Sequence, residues 1–249
     1  MELNFRDLGG LPTAGGKRLR SEIFFRSEGP KNFTQEGLTR LGALPIGTII
    51  DLRSEGERND HPHTWHSNEA RLLACDMNND LRTAGETEWE RLRTDNDPQA
   101  AIAVMSQNYR AMPSALHSYW PAIFNSILQQ RNAIFVNCTA GKDRTGTAVA
   151  LLLSLLEVEK DAILADYLKS GIFAKNMAMA GLIEKGFQDS FGFVPHQVAI
   201  DALLCVNEAY LEAALDEMHR QWGSIDDYFS DAGITADMQD EARKIFVAG

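Results

Sequence analysis

Apolar residues fall in short dense runs through the first half of the chain and in longer, helix-like series through the second. Ile23-Phe24-Phe25-Arg26, a run at Thr48-Ile49-Ile50 and Ala133-Ile134-Phe135-Val136 have the length and the β-branched or aromatic content of strands, the last of them a buried one, and Arg71 to Ala74 is a possible further strand. Phe33 to Leu41 reads as a helix before the Thr48 strand. Residues 55 to 68 are polar and carry His and Pro, so they read as a surface loop. Residues 77 to 99 are acidic without a clear apolar period, a mobile loop or short helix. From Ala100 to Gln130 the pattern is helical, with a break expected at Pro113. Thr147 to Leu156 is almost continuously apolar, as in a buried helix. Asp161 to Lys169, Ala174 to Lys185 and His196 to Arg220 read as further helices, separated by Gly171 and by the stretch from Gly186 to Pro195. These elements predict an α/β fold: a central, mainly parallel sheet flanked by helices, with a helix-rich C-terminal half, in one domain over residues 1–249.

The Ala133 strand and the Thr147 helix are joined by Asn137-Cys138-Thr139-Ala140-Gly141-Lys142-Asp143-Arg144-Thr145-Gly146. A turn there sits at a helix N-terminus, where unpaired N–H groups and the positive end of the dipole favour an anion and favour the thiolate form of a cysteine held against them. Cys138 opens this C-x5-R loop and Arg144 closes it, so the backbone of Thr139, Ala140, Gly141, Lys142 and Asp143 can curl around one tetrahedral anion. Arg144 brings a planar fork for two phosphoryl oxygens, a geometry that lysine lacks. Gly141 permits a close backbone approach. Thr145 is expected to donate a hydroxyl hydrogen bond to the Cys138 sulfur. Lys142 is either a positive charge at the loop mouth or an ordinary solvated side chain. Asp51 and Arg53 follow the Thr48 strand and so emerge at the carboxyl edge of the sheet; Asp51 is expected to brace the loop, with Arg53 in a similar supporting role.

Composition narrows the partners. The chain has 249 residues, 44% of them hydrophobic, enough for a substantial core. Lys and Arg total 24 against 35 Asp and Glu, a net charge of −11, which disfavours a general binder of nucleic acid or anionic membrane. Lys17, Arg18 and Arg20 make one local basic cluster, normally a solvated face. Three scattered cysteines give neither a disulfide framework nor zinc spacing, and Cys75 and Cys205 read as structural. His61, His63 and His66 read as a polar loop rather than a metal site. No metal or cofactor is implied. The sequence opens without an apolar leader and has no apolar run of about 18 residues, so stable membrane insertion is not expected. A cytoplasmic location is, with secretion by a route without a cleavable leader left open.

The loop resembles the H-C-x-x-G-K-D-R-[ST]-G signature of the bacterial tyrosine/serine phosphatases in the cysteine-phosphatase superfamily. The resemblance extends to Asn4-Phe5-Arg6-Asp7-Leu8-Gly9-Gly10, Ile23 to Ser27, Ile49-Ile50-Asp51-Leu52-Arg53, Asp166-Tyr167-Leu168 and Gly223 to Tyr228, nearly the whole chain. It implies a cysteine-phosphatase-like fold and hydrolysis of phosphomonoesters through a phosphocysteine. The implied substrates are phosphotyrosine, with phosphoserine, phosphothreonine or phosphoinositides as alternatives. In the family the loop aspartate is the general acid, a role that falls here to Asp143. Related phosphatases use an upstream aspartate instead, for which Asp76, Asp80, Asp95 and Asp97 are candidates. Helical insertions cover the site in related enzymes, so residues 171 to 195 are a candidate lid, although helix packing explains their apolar content more simply. The chain departs from the signature at Asn137, which stands where the family has histidine and carries no titratable charge to help hold Cys138 ionised. Two other readings are a phospho-recognition module without turnover and an arsenate reductase-like enzyme.

Overall fold

The short apolar runs pair into one sheet. A computed structural model describes residues 4–64, 70–77, 94, 97–130, 132–172 and 183–248. Its strands are β1 (Arg6–Asp7), β2 (Phe24–Ser27), β3 (Ile46–Asp51), β4 (Arg71–Ala74) and β5 (Ala133–Asn137), in the spatial order β1-β2-β5-β3-β4. Among the described strands only β1 runs antiparallel to its neighbour; β2, β5, β3 and β4 are parallel. The middle strands are apolar at successive positions because both sheet faces are covered. Phe24, Ile50, Ile134 and Val136 enter the larger core, and Phe25, Ile49, Ala133 and Phe135 the smaller one.

The helices are α1 (Gln35–Gly42), α2 (Glu55–Asp60), α3 (Pro98–His117), α4 (Trp120–Gln130), α5 (Asp143–Leu155), α6 (Lys160–Leu168), α7 (Ile183–Phe191), α8 (Gln197–Leu204), α9 (Glu208–Trp222), α10 (Ile225–Asp231) and α11 (Ala236–Phe246). The larger core gathers α5 with the inner faces of α3, α4, α9, α10 and α11, around fully buried Trp120, Phe124, Leu151, Tyr228 and Phe229. The smaller core packs Leu41 of α1 and the partly buried Phe5 and Phe33 against the other face.

Several expected boundaries move. The helix containing Pro113 does not break there but runs on to His117. Proline deprives the Tyr109 carbonyl of its helical partner, yet Met112 and Leu116 on either side are fully buried and the Tyr228 hydroxyl donates to the Pro113 carbonyl. Tertiary packing outweighs the lost bond. Gly186 lies inside α7, which ends instead at Gly192, a residue with φ of 75° suited to a helix terminus. The series from His196 to Arg220 is two helices, because Asn207 is extended and its side chain accepts from the Ala209 N–H to start α9. Residues 55 to 68 begin with a helix, α2, started by a capping box of Ser54 and Glu57. Of the candidate lid, residues 173–182 lie outside the described residues, as do Asp80, Asp95, His66 and most of the acidic stretch 77–99.

Candidate active site

Three parallel strands stop at one level: Ser27, Asn137 and Asp51 are in register at the carboxyl ends of β2, β5 and β3. Cys138 is the next residue, so the loop hangs from the middle of that edge, and Asp143 starts α5. The loop is thereby fixed between a central strand and the N-terminus of the most buried helix.

Its carbonyls are tied outward. The Thr139 carbonyl accepts from the Gly29 N–H at 3.1 Å, the Ala140 carbonyl from Asn4 Nδ2 at 2.9 Å, and the Gly141 carbonyl from Arg26 Nη2 at 2.8 Å. In a trans peptide the C=O and N–H point opposite ways, so three outward carbonyls turn the following N–H groups toward the loop's interior. Gly141 has φ of 66°, and a Cβ there would lie 2.4 Å from the Ser27 carbonyl oxygen, which is why this position takes glycine. Arg26 is itself held by Asp166 at 2.6 Å, as is Arg6. Burial opposes ionisation of Asp166, but the two guanidiniums outweigh it and hold its carboxyl below the usual range.

Arg144 is aimed by a residue that the sequence reading left in a loop. Glu57 of α2 accepts from Arg144 Nη1 at 2.8 Å and from Nη2 at 2.9 Å, a two-pronged pair, and Thr139 Oγ1 bonds to both partners. Burial works against the Glu57 carboxylate, and the bonds from Arg144, its charge, Thr139 and the Ser54 N–H more than reverse that. Burial likewise opposes the Arg144 charge, which is secured by Glu57, by Cys138 and by Asp143. The Ser54-x-x-Glu57 capping box was the signal in the sequence that could have placed Glu57 at a helix start.

Asp143 is partly exposed, with its Oδ1 accepting from the Tyr109 hydroxyl at 2.6 Å and lying 3.3 Å from Lys142 Nζ. Neither expectation for Lys142 fits: its side chain is buried, and Nζ donates to the Leu203 and Cys205 carbonyls at 2.6 and 3.1 Å, at the C-terminal end of α8. Carbonyls left over at a helix end attract such a cation. The bond expected from Thr145 to Cys138 is also absent; Thr145 Oγ1 is buried and makes no hydrogen bond among the described residues.

Behind Cys138, Asn137 donates through Nδ2 to Asp51 Oδ1 at 3.3 Å, and its Oδ1 lies 3.1 Å from His63 Nε2, which is also 3.2 Å from Asp51 Oδ2. Both neighbours of that nitrogen are acceptors, so it carries the hydrogen. His63 is thus not part of a solvated loop; its side chain is 1% exposed. Asp51 pairs with Arg53 at 2.6 Å. Burial alone would raise the Asp51 carboxyl, but the bonds and charges of Arg53 and His63 bring it down to about 2. Arg53 also donates to the His61 carbonyl, closing the chain after α2.

The upstream aspartates that are described have other tasks. Asp97 caps α3 by accepting from the Gln99 N–H, and Asp76 pairs with Arg58. Burial pushes the Cys75 thiol up to about 12, followed by the charge of Asp51, which leaves it unreactive. Cys205 is half-buried beside the Ala202 carbonyl and the Tyr210 hydroxyl. Among the described residues, no helix is long and apolar enough to cross a membrane.

Comparison with known proteins agrees over the same span. Residues 2–248 match the model of a tyrosine phosphatase family. The chain is 34% identical to a putative tyrosine-protein phosphatase of Cupriavidus necator over 92% of its own length and 81% of that protein. It is 29% identical to the triple specificity protein phosphatase PtpB of Mycobacterium tuberculosis, over 93% of its own length and 92% of the relative. A tyrosine-protein phosphatase of Nostoc commune is 24% identical, over 90% of this chain and 74% of that one. Since the family match runs from the segment carrying Asn4 and Arg6, through the cysteine loop, to the final helix, the chain belongs to the tyrosine phosphatase family.

Proposed function

We propose that the chain, acting as one phosphatase unit over residues 1–249, hydrolyses phosphomonoesters through a phosphocysteine on Cys138. The observation that carries this reading is the loop itself: carbonyls tied outward at Thr139, Ala140 and Gly141, with Arg144 held beside Cys138 by Glu57. Inward N–H groups and a fixed guanidinium suit the equatorial oxygens of a transferring phosphoryl group. Cys138 Sγ forms a bond to phosphorus as the ester P–O bond breaks, and Asp143 gives its proton to the departing oxygen. Water then attacks phosphorus, Asp143 takes its proton, and the sulfur leaves as thiolate, releasing phosphate. Asp97 and Asp76 being engaged elsewhere supports Asp143 as the acid.

Phosphotyrosine is the first substrate class, because an aryl oxygen leaves most easily. Phosphoserine, phosphothreonine and phosphoinositides form a second reading, favoured by the name of the mycobacterial relative, a triple specificity phosphatase. A reducing compartment such as the cytoplasm suits the free thiol. The test is a panel of phosphopeptides and phosphoinositides, with Cys138→Ser as the blank. Phosphate release that vanishes with Cys138→Ser supports the reading. Binding without release refutes turnover in favour of a recognition module, and arsenate-dependent thiol oxidation in its place points to the reductase.

A further inference from the structure

The general acid is held by a chain of buried phenols. Asp143 Oδ1 accepts from the Tyr109 hydroxyl at 2.6 Å, and the Tyr109 hydroxyl lies 2.8 Å from that of Tyr167. Both tyrosines are buried, and Tyr109 is fully so. A carboxylate has no hydrogen to offer, so the single phenolic hydrogen of Tyr109 goes to Asp143, and Tyr167 donates to Tyr109 in turn. While Asp143 is ionised, the direction of the chain is therefore fixed. Burial, and then the charge of Asp143, raise both phenols above the ordinary tyrosine range, so they remain donors at any working pH. Gly146 makes room for the arrangement: a Cβ there would lie 2.9 Å from the Tyr167 ring, which otherwise rests on the first turn of α5. Tyr109 is packed at its other side by Tyr210, with ring centroids 5.5 Å apart.

The two carboxylate oxygens of Asp143 thus differ. Oδ1 is engaged by Tyr109 and lies near the Lys142 ammonium, whereas the aspartate remains partly exposed, 28% by side chain. We propose that Tyr109, backed by Tyr167, is the positioning residue for the general acid: by occupying Oδ1 it puts the catalytic proton on Oδ2 and turns that oxygen toward the leaving group. When Oδ2–H gives its proton to the departing oxygen, the same hydrogen bond stabilises the carboxylate left behind. In the second step Oδ2 takes the proton from the attacking water, and Tyr109 neither gains nor loses one. The inference rests on Asp143 being the acid, as proposed above.

The experiment compares aryl phosphates of graded leaving-group strength in wild type, Tyr109→Phe, Tyr167→Phe, Asp143→Asn and the double variant Tyr109→Phe/Asp143→Asn. Inorganic phosphate serves as a competitive inhibitor that reports on the loop. Tyr109→Phe should lower kcat for the poorest leaving group by about 10-fold or more and barely change it for p-nitrophenyl phosphate, a fraction of the roughly 100-fold or larger contribution of a general acid. Phosphate inhibition should stay within about 3-fold, since that contact does not use the acid. Tyr167→Phe should show a weaker form of the same pattern. In the double variant the Tyr109 substitution should add no further loss, because two residues acting through one proton transfer are not additive. Equal loss across all leaving groups, or additive loss in the double variant, overturns the positioning role while Asp143 keeps its own. If Asp143→Asn itself shows no dependence on the leaving group, the acid assignment fails and this inference falls with it, whereas loss of all activity with Cys138→Ser would still stand.

Discussion

Glu28 offers a test of the physics at the edge of the loop. It follows β2 directly, is 2% exposed, and has no hydrogen-bond partner for Oε1 among the described residues; burial pushes its carboxyl up to about 7. The folded protein therefore keeps a proton that the unfolded chain, with an ordinary value of 4.5, has already lost. For a raised pKa the sign is clear: stability is fullest below the unfolded value and falls as the pH climbs through the folded one. A rise from 4.5 to about 7 amounts to roughly 3 kcal/mol between pH 4.5 and about pH 8.5, at about 1.36 kcal/mol per unit. Glu28→Gln keeps the shape and removes the ionisation. Urea unfolding of both proteins across that pH range should show the variant gaining on wild type by about 3 kcal/mol from the acid end to the alkaline end. Asp51, Glu57 and Asp166, whose carboxyls are held low, lose their contribution only as the pH falls toward and below their ordinary values, and they do so in both proteins, so the difference isolates Glu28. A difference that stays constant with pH would refute the assignment of a buried, protonated Glu28.

Other expectations follow from the same contacts. Glu57→Gln removes the charged partner of Arg144 and should weaken inhibition by inorganic phosphate and lower kcat/KM by about 10-fold, the scale of one charge-assisted hydrogen bond. Gly141→Ala puts a Cβ 2.4 Å from the Ser27 carbonyl at a positive φ, so activity should fall by about 100-fold or more while circular dichroism stays native. Asp166→Asn leaves the buried Arg26 with no full countercharge and should cost about 3–5 kcal/mol in urea unfolding; in wild type the Asp166 contribution is present above the ordinary carboxylate pKa and lost as pH falls through the lowered folded value.

What the sequence made legible was local. A strand, a turn and an apolar helix around Cys138 could be read because both faces of β5 and nearly all of α5 are buried, which leaves continuous apolar runs. Arg71 to Ala74 could be read only as a possible strand, since this exposed edge strand carries no β-branched or aromatic residue. Long-range partners were not legible. Tyr109 looks like any aromatic on a helix face, and only the folded chain brings its hydroxyl to Asp143, 34 residues away. Lys142 reads as a surface charge until α8 delivers two carbonyls to it. His63 sits in a polar, proline-flanked stretch whose composition says nothing of Asp51 and Asn137. Pro113 misled because propensity is a local preference, and the packing of Met112, Leu116 and Tyr228 decides the helix there.

Those partners explain why a short loop needs the whole chain. The three loop carbonyls are held by Asn4, Arg26 and Gly29, Arg144 by α2, Asp143 by α3, Lys142 by the end of α8, and Arg26 by α6 through Asp166. None of these donors or acceptors is within the loop, and most lie tens of residues from it. A helix N-terminus alone offers an anion a few N–H groups that also have to be arranged when the anion arrives. Here the arrangement is made during folding: the loop carbonyls are already tied outward and the Arg144 guanidinium is already held by Glu57 and Thr139, the kind of preorganisation under which fixed dipoles act without reorganising. The cost falls on stability: burying Arg26, Asp166, Arg53, Asp51 and Lys142 beside the sheet edge requires every one of them to be paired, and each pair is a place where a single substitution strands a charge. The position before Cys138 illustrates the same dependence. Asn137 carries no charge, but its amide bridges Asp51 and His63, so an imidazole from a distant segment stands behind Cys138 and the local sequence around the cysteine understates the electrostatics of its site.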